Sequence, residues 1–400
     1  MGAGAQGRRF YNRKAWGVDS LRVGFFTECY RPIVNGVVES IDTLARALRF
    51  AGHEVFCFAP RAPGYVERDG PVFRMPSWRL PMRTPYRLTI PLVSPRNLNG
   101  VIKRLSIIHT HSPFVTGWMG LRYARRFDIP LVYTYHTQLE KYAHYIPFDQ
   151  KTTRRAANSL TRLYANAADA VVVPTQTMRD RLRELAVTSP IEVVPSAIDV
   201  DAFAAGRRRE QLRSSFGVGE GERLILFVSR LAAEKNAGLA LATLAHTSDP
   251  ALRLLIVGDG PARGDLQRQA AQLGLAQRVI FAGELPRTAL PDVYASSDVF
   301  LFPSTTETQG LVLAEAMASG CPIVAVDTPQ TREVVRDGGE LVEGTAGDLS
   351  AAVLRATTQP SGERRLRARS AASAFGMGLQ SSRMVALYEG LRSRETVVSR

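Results

Sequence analysis

Apolar and polar positions along this chain switch between two periods, and the order of the switches predicts its architecture. Residues 21–27 form a short apolar run of the kind a buried strand needs. Over residues 37–50, Val38, Ile41, Leu44, Ala45 and Leu48 recur at helical spacing, and Gly52 stops the helix. Residues 53–59 are strand-like again, so the chain opens with a βαβ unit and hence a parallel sheet. Strands at 107–111, 130–134, 170–174 and 191–198, with helices over 114–127 and 151–167, complete a first unit. A second series of strands follows at 223–229, 252–257, 279–282, 299–302 and 323–326, separated by helical stretches. A last helix is predicted over 375–391. The fold class is therefore α/β, with two Rossmann-like doubly wound domains.

Two stretches interrupt this pattern. Residues 61–105 hold seven prolines, with arginines interleaved among Phe73, Trp78, Leu80, Met82, Tyr86 and Leu88. They form either a long excursion from the sheet or a surface suited to a lipid headgroup region, where arginine and aromatic side chains are both favoured. The arginine-rich run 207–213 falls between the two sheets and is expected to belong to the linker region. The resulting domains are 1–20, a disordered basic tail; 21–205; 206–372; and 373–400, a C-terminal helix packing back toward the first domain.

Composition changes this picture only through charge. Apolar content of 45% and charged content of 22% describe an ordinary globular chain. The net charge is +14, and residues 1–200 carry +13 of it. Such a basic half suits nucleic acid, an anionic lipid surface or an acidic substrate; plain solubility is the alternative. Cys29, Cys57 and Cys321 are odd in number and form no CxxC pair, so they read as buried small hydrophobes in a reducing cytoplasm. No apolar run has the length of a membrane span, and the first twenty residues lack an apolar signal-peptide core and a myristoylation motif.

Candidate chemistry collects at the carboxyl ends of predicted strands. Glu307 lies in the loop after strand 299–302, and Glu315 lies one or two turns into the next helix, past Gly310 and Leu311. Ligands of open α/β sheets bind at such a crevice. A carboxylate there opposes phosphate, so Glu315 is expected to accept hydrogen bonds from sugar hydroxyls. Arg230 and Lys235 follow the second unit's first strand and converge at a helix N-terminus, a ready phosphate site. Pairing with Glu234 or Glu222 is their structural alternative. Gly258 and Gly260 follow the next strand, where glycine admits close backbone approach, although GxGxxG is absent. Asp199 and Asp201 form a possible metal pair at a domain exit; His109 and His111 share a strand face as core or cleft-lining groups. Neither a GxSxG elbow nor an HExxH motif is present.

Taken in order, Arg230, Lys235, Gly258 to Gly260 and the Glu307–Glu315 pair resemble the donor-site series of family-4 glycosyltransferases with the GT-B fold. Residues 25–37 resemble that family's first loop, with Gly36 approaching the donor phosphates across the cleft. His136 matches the active-site histidine, and residues 198–203 match the segment leading out of the first domain. Residues 133–146 look most like bacterial diacylglycerol glucosyltransferases, which are monotopic membrane enzymes. The resemblance covers residues 21–345, and Ala197 stands where the family often has glycine.

It implies two domains facing a central cleft, a nucleotide-sugar donor, no metal, no cofactor, and transfer with retention of configuration. Glu307 would hold sugar hydroxyls and Glu315 the ribose. Arg230 and Lys235 would neutralise the leaving diphosphate, and His136 would contact the donor sugar near the reacting carbon. Gly258, Gly310 and Leu311 complete the donor side; Asn35, His111, Tyr135 and His144 are expected on the acceptor side. The expected partners are a UDP-sugar, favoured over a GDP-sugar, a membrane lipid, foremost diacylglycerol, and an anionic membrane surface, with no nucleic acid. The expected place is cytoplasmic, peripheral on the inner face of the membrane. A mannosyltransferase using GDP-mannose on phosphatidylinositol or a related glycan is the rival within the fold. A non-catalytic nucleic-acid-binding protein is the rival outside it.

Overall fold

Strands rich in Val, Ile, Leu and Phe with no polar alternation must be buried on both faces, and helices cover them here on both sides. A computed structural model describes residues 20–67, 70–79, 86–91, 98–145, 148–359 and 361–398. The expected basic tail lies outside these, apart from Ser20, as does the side chain of His144.

The first domain contributes β1 (Arg22–Phe26), β2 (Glu54–Pro60), β3 (Val72–Met75), β4 (Ser77–Arg79), β5 (Arg87–Thr89), β6 (Ile107–Thr110), β7 (Leu131–Thr134), β8 (Ala170–Val173) and β9 (Ile191–Val193). Seven of them form a parallel sheet in the order β3-β2-β1-β6-β7-β8-β9. β4 and β5 pair as a separate antiparallel ribbon within the proline-rich excursion. The second domain contributes β10 (Arg223–Val228), β11 (Leu252–Val257), β12 (Val279–Gly283), β13 (Val299–Phe302), β14 (Ile323–Val326) and β15 (Glu340–Val342), parallel in the order β12-β11-β10-β13-β14-β15. Two α/β sheets were expected and two are present, with β3 and β15 added at their edges.

Each sheet has one point where the strand order turns back on itself: between β1 and β6, and between β10 and β13. The loops leaving those four strands diverge and open a crevice. They carry Thr27 to Gly36, His111, Ser229 to Asn236, and Pro303 to Gly310. The stretches singled out above for chemistry therefore sit at the two switch points.

Four clusters fill the cores. Ile108, Leu131, Tyr133, Tyr164 and Val171 pack on one face of the first sheet; Val23, Phe25, Ile41, Leu48 and Val132 pack on the other. Burying each such side chain stabilises by roughly 1.5–3 kcal/mol. Met384, Tyr388 and Leu391 of the helix Met377–Val398 belong to that second cluster, beside the helix Gly36–Phe50. The chain thus leaves the second domain and returns to the first.

The arginine run is not a free linker. Arg213 is buried and donates to the Ser296 and Glu222 carbonyls and to Asp298, while Arg209 meets Asp292. Those contacts dock the run on the second domain. Of the three cysteines, Cys57 and Cys321 are buried, but Cys29 is partly exposed and accepts a hydrogen bond from Asn35.

Candidate active site at the facing switch points

The loop after β13 joins the two domains. Thr308 Oγ1 donates to the His136 carbonyl (3.0 Å), and Thr175 Oγ1 donates to the Thr308 carbonyl (3.0 Å). Gln138 Nε2 donates to the Glu307 carbonyl (3.4 Å). Buried Gln309 makes a two-way bridge to the Ser196 backbone, at 2.8 and 2.9 Å. Glu333, from the second domain, accepts from Gln176 N (2.6 Å) and Thr177 N (2.7 Å), at the start of a first-domain helix where a carboxylate suits the dipole. So His136 and Glu307 are held on opposite walls of one cleft, with Thr308 between them.

Lys235 Nζ lies 2.5 Å from Glu307 Oε1, and Ser304 Oγ is 3.4 Å from the same oxygen. Asn236 is left-handed (φ 54°), which turns the chain from Lys235 into the helix Ala237–His246. Arg230 pairs with Glu234 (2.6 Å). Both cations expected to serve phosphate are thus held by carboxylates, the structural alternative for Arg230 included. Gly258 (φ 125°) follows β11, and a Cβ there would run into the Ser229 carbonyl oxygen, so this loop packs against the loop of Arg230. Gly310 (φ 79°) starts the helix Leu311–Ala318, where a Cβ would sit 3.2 Å from the Phe302 ring. Across the cleft Gly36 is exposed, and a Cβ on it would lie 4.0 Å from Leu311 Cδ1.

Two expected positions, Glu315 and Tyr135, need correction. Glu315 is 2% exposed, and both of its oxygens meet protein groups: Arg287 Nη2 at 2.8 Å and the Tyr294 hydroxyl at 3.2 Å. Burial raises its carboxyl pKa, opposed by Arg287. The helix turns this carboxylate toward Arg287 and Tyr294 rather than toward open solvent. Tyr135 is fully buried in the core and its hydroxyl has no partner among the described residues, so it does not line the acceptor side. Asn35 is a helix cap: its Oδ1 accepts from Val38 N (2.9 Å) and its Nδ2 donates toward Cys29 and Tyr86. Asp199 caps the helix Val200–Ala204 and meets Arg46 at 3.4 Å.

His111 does reach the site: its Nδ1 is 3.0 Å from His136 Nε2. His109 behind it is buried between the Tyr388 hydroxyl (2.7 Å) and Thr134 Oγ1 (2.6 Å). Burial pushes the His109 imidazole down to about 3 and His136 to about 4; it lowers His111 too, with the two neighbours adding. All three are neutral at pH 7.

Sequence reasoning missed the residues that tie the walls together. Arg287 spans the domains, with Glu39 Oε2 at 3.0 Å on one side and Glu315 on the other. Tyr142 stands near Glu307, Glu234 and Arg230, and burial, then those carboxylates, raise its phenol to about 12. These residues meet only through the fold, so no local spacing marked them.

The site can hold a phosphorylated, hydroxyl-bearing ligand: two cations at a helix entry, a carboxylate beside them, and a neutral histidine opposite. Comparisons with known proteins show the family. The family model described as Glycosyltransferase Family 4 matches residues 34–202, and that described as Glycosyl transferases group 1 matches residues 208–374. The alpha-monoglucosyldiacylglycerol synthase of Streptococcus pneumoniae is 33% identical over 84% of this chain and 78% of its own. The GDP-mannose-dependent alpha-mannosyltransferase of Mycolicibacterium smegmatis is 33% identical over 79% of this chain and 82% of its own. Among solved structures, Anabaena Alr3699/HepE in complex with UDP superposes with a TM-score of 0.72 over 92% of this chain and 100% of its own, at 19% identity.

Proposed function

This chain belongs to family 4 of the glycosyltransferases, with the GT-B fold and hexosyl transfer as its activity, and we propose that it moves glucose from UDP-glucose to diacylglycerol with retention of configuration. The observation that carries this reading is the convergence of Lys235, Glu307 and His136 on one cleft, bridged by Thr308. Departure of a nucleoside diphosphate leaves negative charge at the bond being broken. Fixed cations at that point stabilise it without reorganisation, so Lys235 and Arg230 do what a divalent ion does elsewhere. Glu307, beside Lys235, accepts from hydroxyls of the hexose. His136, on the facing wall, contacts the sugar near the reacting carbon.

The lipid acceptor has separate support. Lys151, Arg154, Arg155 and Arg162 are exposed on the helix Gln150–Ala165. Leu163 beside them is 61% exposed, and Trp118 on the neighbouring helix is 38% exposed and packs edge-on against Tyr164. Basic and apolar side chains on adjacent helices suit an anionic bilayer surface, where each cation contributes about 1 kcal/mol. Among the described residues no helix is long and apolar enough to cross a membrane. The exposed basic and apolar side chains support docking of the first domain on an anionic membrane surface.

A GDP-mannose donor is the second reading, favoured by the relative of equal identity that is named as GDP-mannose-dependent; phosphatidylinositol or a related glycan is the acceptor that goes with it. A panel of UDP-, GDP- and ADP-sugars, offered with lipid vesicles in excess EDTA, separates the two. Turnover of UDP-glucose, undiminished by EDTA, is expected. Turnover of GDP-mannose alone selects the second reading, and metal-reversible loss of all activity contradicts the metal-free role of Arg230 and Lys235.

A further inference from the structure

Three imidazole rings stand in series at the carboxyl ends of β6 and β7. The His109 and His111 centroids are 4.3 Å apart, and those of His111 and His136 are 5.3 Å apart. Phe25 of β1 packs edge-on against both His109 (5.4 Å) and His111 (4.8 Å). The inner ring, His109, is held at both nitrogens, by Tyr388 and by Thr134. The outer ring, His136, is partly exposed, and its Nε2 faces His111 Nδ1 at 3.0 Å. His111 lies between them, and its Nε2 is buried with no partner among the described residues.

That last atom decides the protons. If His111 carried its proton on Nε2, a donor would be buried with nothing to receive it. With the proton on Nδ1, only an acceptor is left unmet, and buried acceptors go unpaired more readily than buried donors. Nδ1 then donates to His136 Nε2, which must be bare. A neutral His136 therefore carries its own proton on Nδ1. Among the described residues His136 Nδ1 makes no hydrogen bond, so this N–H remains available to a ligand.

We infer that His111 is a positioning residue that holds His136 as the Nδ1–H tautomer, and that Tyr388 of the C-terminal helix steadies the series from its inner end. The inference rests on the reading of His136 as a catalytic residue. It gives the C-terminal helix a task at the active site: the segment that returns from the second domain fixes a ring in the first. The His136 N–H is then a donor to an oxygen of the bound sugar and never a base at neutral pH.

Long-range proton–nitrogen NMR of the full chain with ¹⁵N-labelled histidine tests the tautomer directly. His136→Ala and His111→Asn supply the assignments. At pH 7.5 the expected spectrum has a protonated Nδ1 and a bare Nε2 on both His136 and His111; a protonated Nε2 on His136 overturns the inference. Kinetics with the donor selected by the panel test positioning. His111→Leu is expected to lower kcat by roughly 10- to 100-fold with donor KM within about twofold, since a displacement near 1 Å costs that much. The amide of His111→Asn is expected to restore kcat to within several-fold, and Tyr388→Phe to lower it several-fold. Unchanged kcat in His111→Leu beside an inactive His136→Ala overturns positioning and leaves the catalytic reading intact. Full activity in His136→Ala removes both. If His111→Leu does not fold, the wild-type spectrum still decides.

Discussion

Replacing Lys235 by alanine is expected to lower kcat/KM for the accepted donor by on the order of 10²-fold or more, with the fold retained. The ammonium is one of two cations at the entry of the helix Ala237–His246, and it sits 2.5 Å from Glu307. Removing it has two consequences. The diphosphate charge that develops in the transition state loses a fixed partner. The Glu307 carboxylate, itself half-buried, is left facing that same charge unpaired. Both act more strongly in the transition state than in the bound substrate, so the loss falls mainly on kcat. Stability depends much less on this pair, because a partly exposed ion pair contributes only about 1 kcal/mol or less. Steady-state rates on every accepted donor, beside melting curves, check it. Full activity of Lys235→Ala on each donor means that the phosphate is held elsewhere.

Acid is expected to destabilise the protein well above the range in which carboxylates titrate. His109, His111 and His136 are neutral when folded, and burial holds all three below 6.5. The unfolded chain takes up those protons near pH 6.5, and the folded chain does not. Stability from this source is therefore complete above pH 6.5 and is lost as pH falls toward about 3, the His109 value. Such a histidine costs about 1.4 kcal/mol per pH unit, so His109 alone amounts to about 3 kcal/mol by pH 4.5, a large part of the stability of many domains, and His111 acts in the same direction. Glu315 works the other way, since its raised pKa makes the folded chain the better proton acceptor, but it is one group against three. Chemical denaturation at pH 7.5, 6.0 and 5.0 should give a falling stability, with a shallower slope in His109→Asn. A flat profile between pH 7.5 and 5.0 contradicts the burial of these rings.

The two sheets were legible because their strands are buried on both faces and their helices keep one period. β3 and β15 were missed for the converse reason. Each is a short edge strand with a charged residue, Arg74 and Glu340, inside it. The β4–β5 ribbon was hidden in the proline- and arginine-rich excursion, whose composition speaks for loop or surface equally well. At the site, Lys235 and Glu307 were marked by their places after strand ends, whereas His136 was marked only by the resemblance to the glycosyltransferase family. Glu315 was placed on the correct helix, but eight positions of spacing do not tell which face a carboxylate turns to once Arg287, 28 residues upstream, can reach it. The domain clamp of Thr308, Gln309 and Glu333 pairs residues more than 100 positions apart, and only folding brings them together.

Under the proposed function, Lys235, Glu307 and His136 serve the transfer of a hexose from a nucleotide sugar to a lipid hydroxyl without inversion. The direct measurement is NMR of the lipid product formed from UDP-[¹³C]glucose and diacylglycerol-containing vesicles. The anomeric carbon–proton coupling of the product reports its configuration. The expected result is a glucolipid with the α configuration of the donor, formed by the wild-type chain and lost in Lys235→Ala. A β-linked product, or free glucose with no labelled lipid, would contradict it.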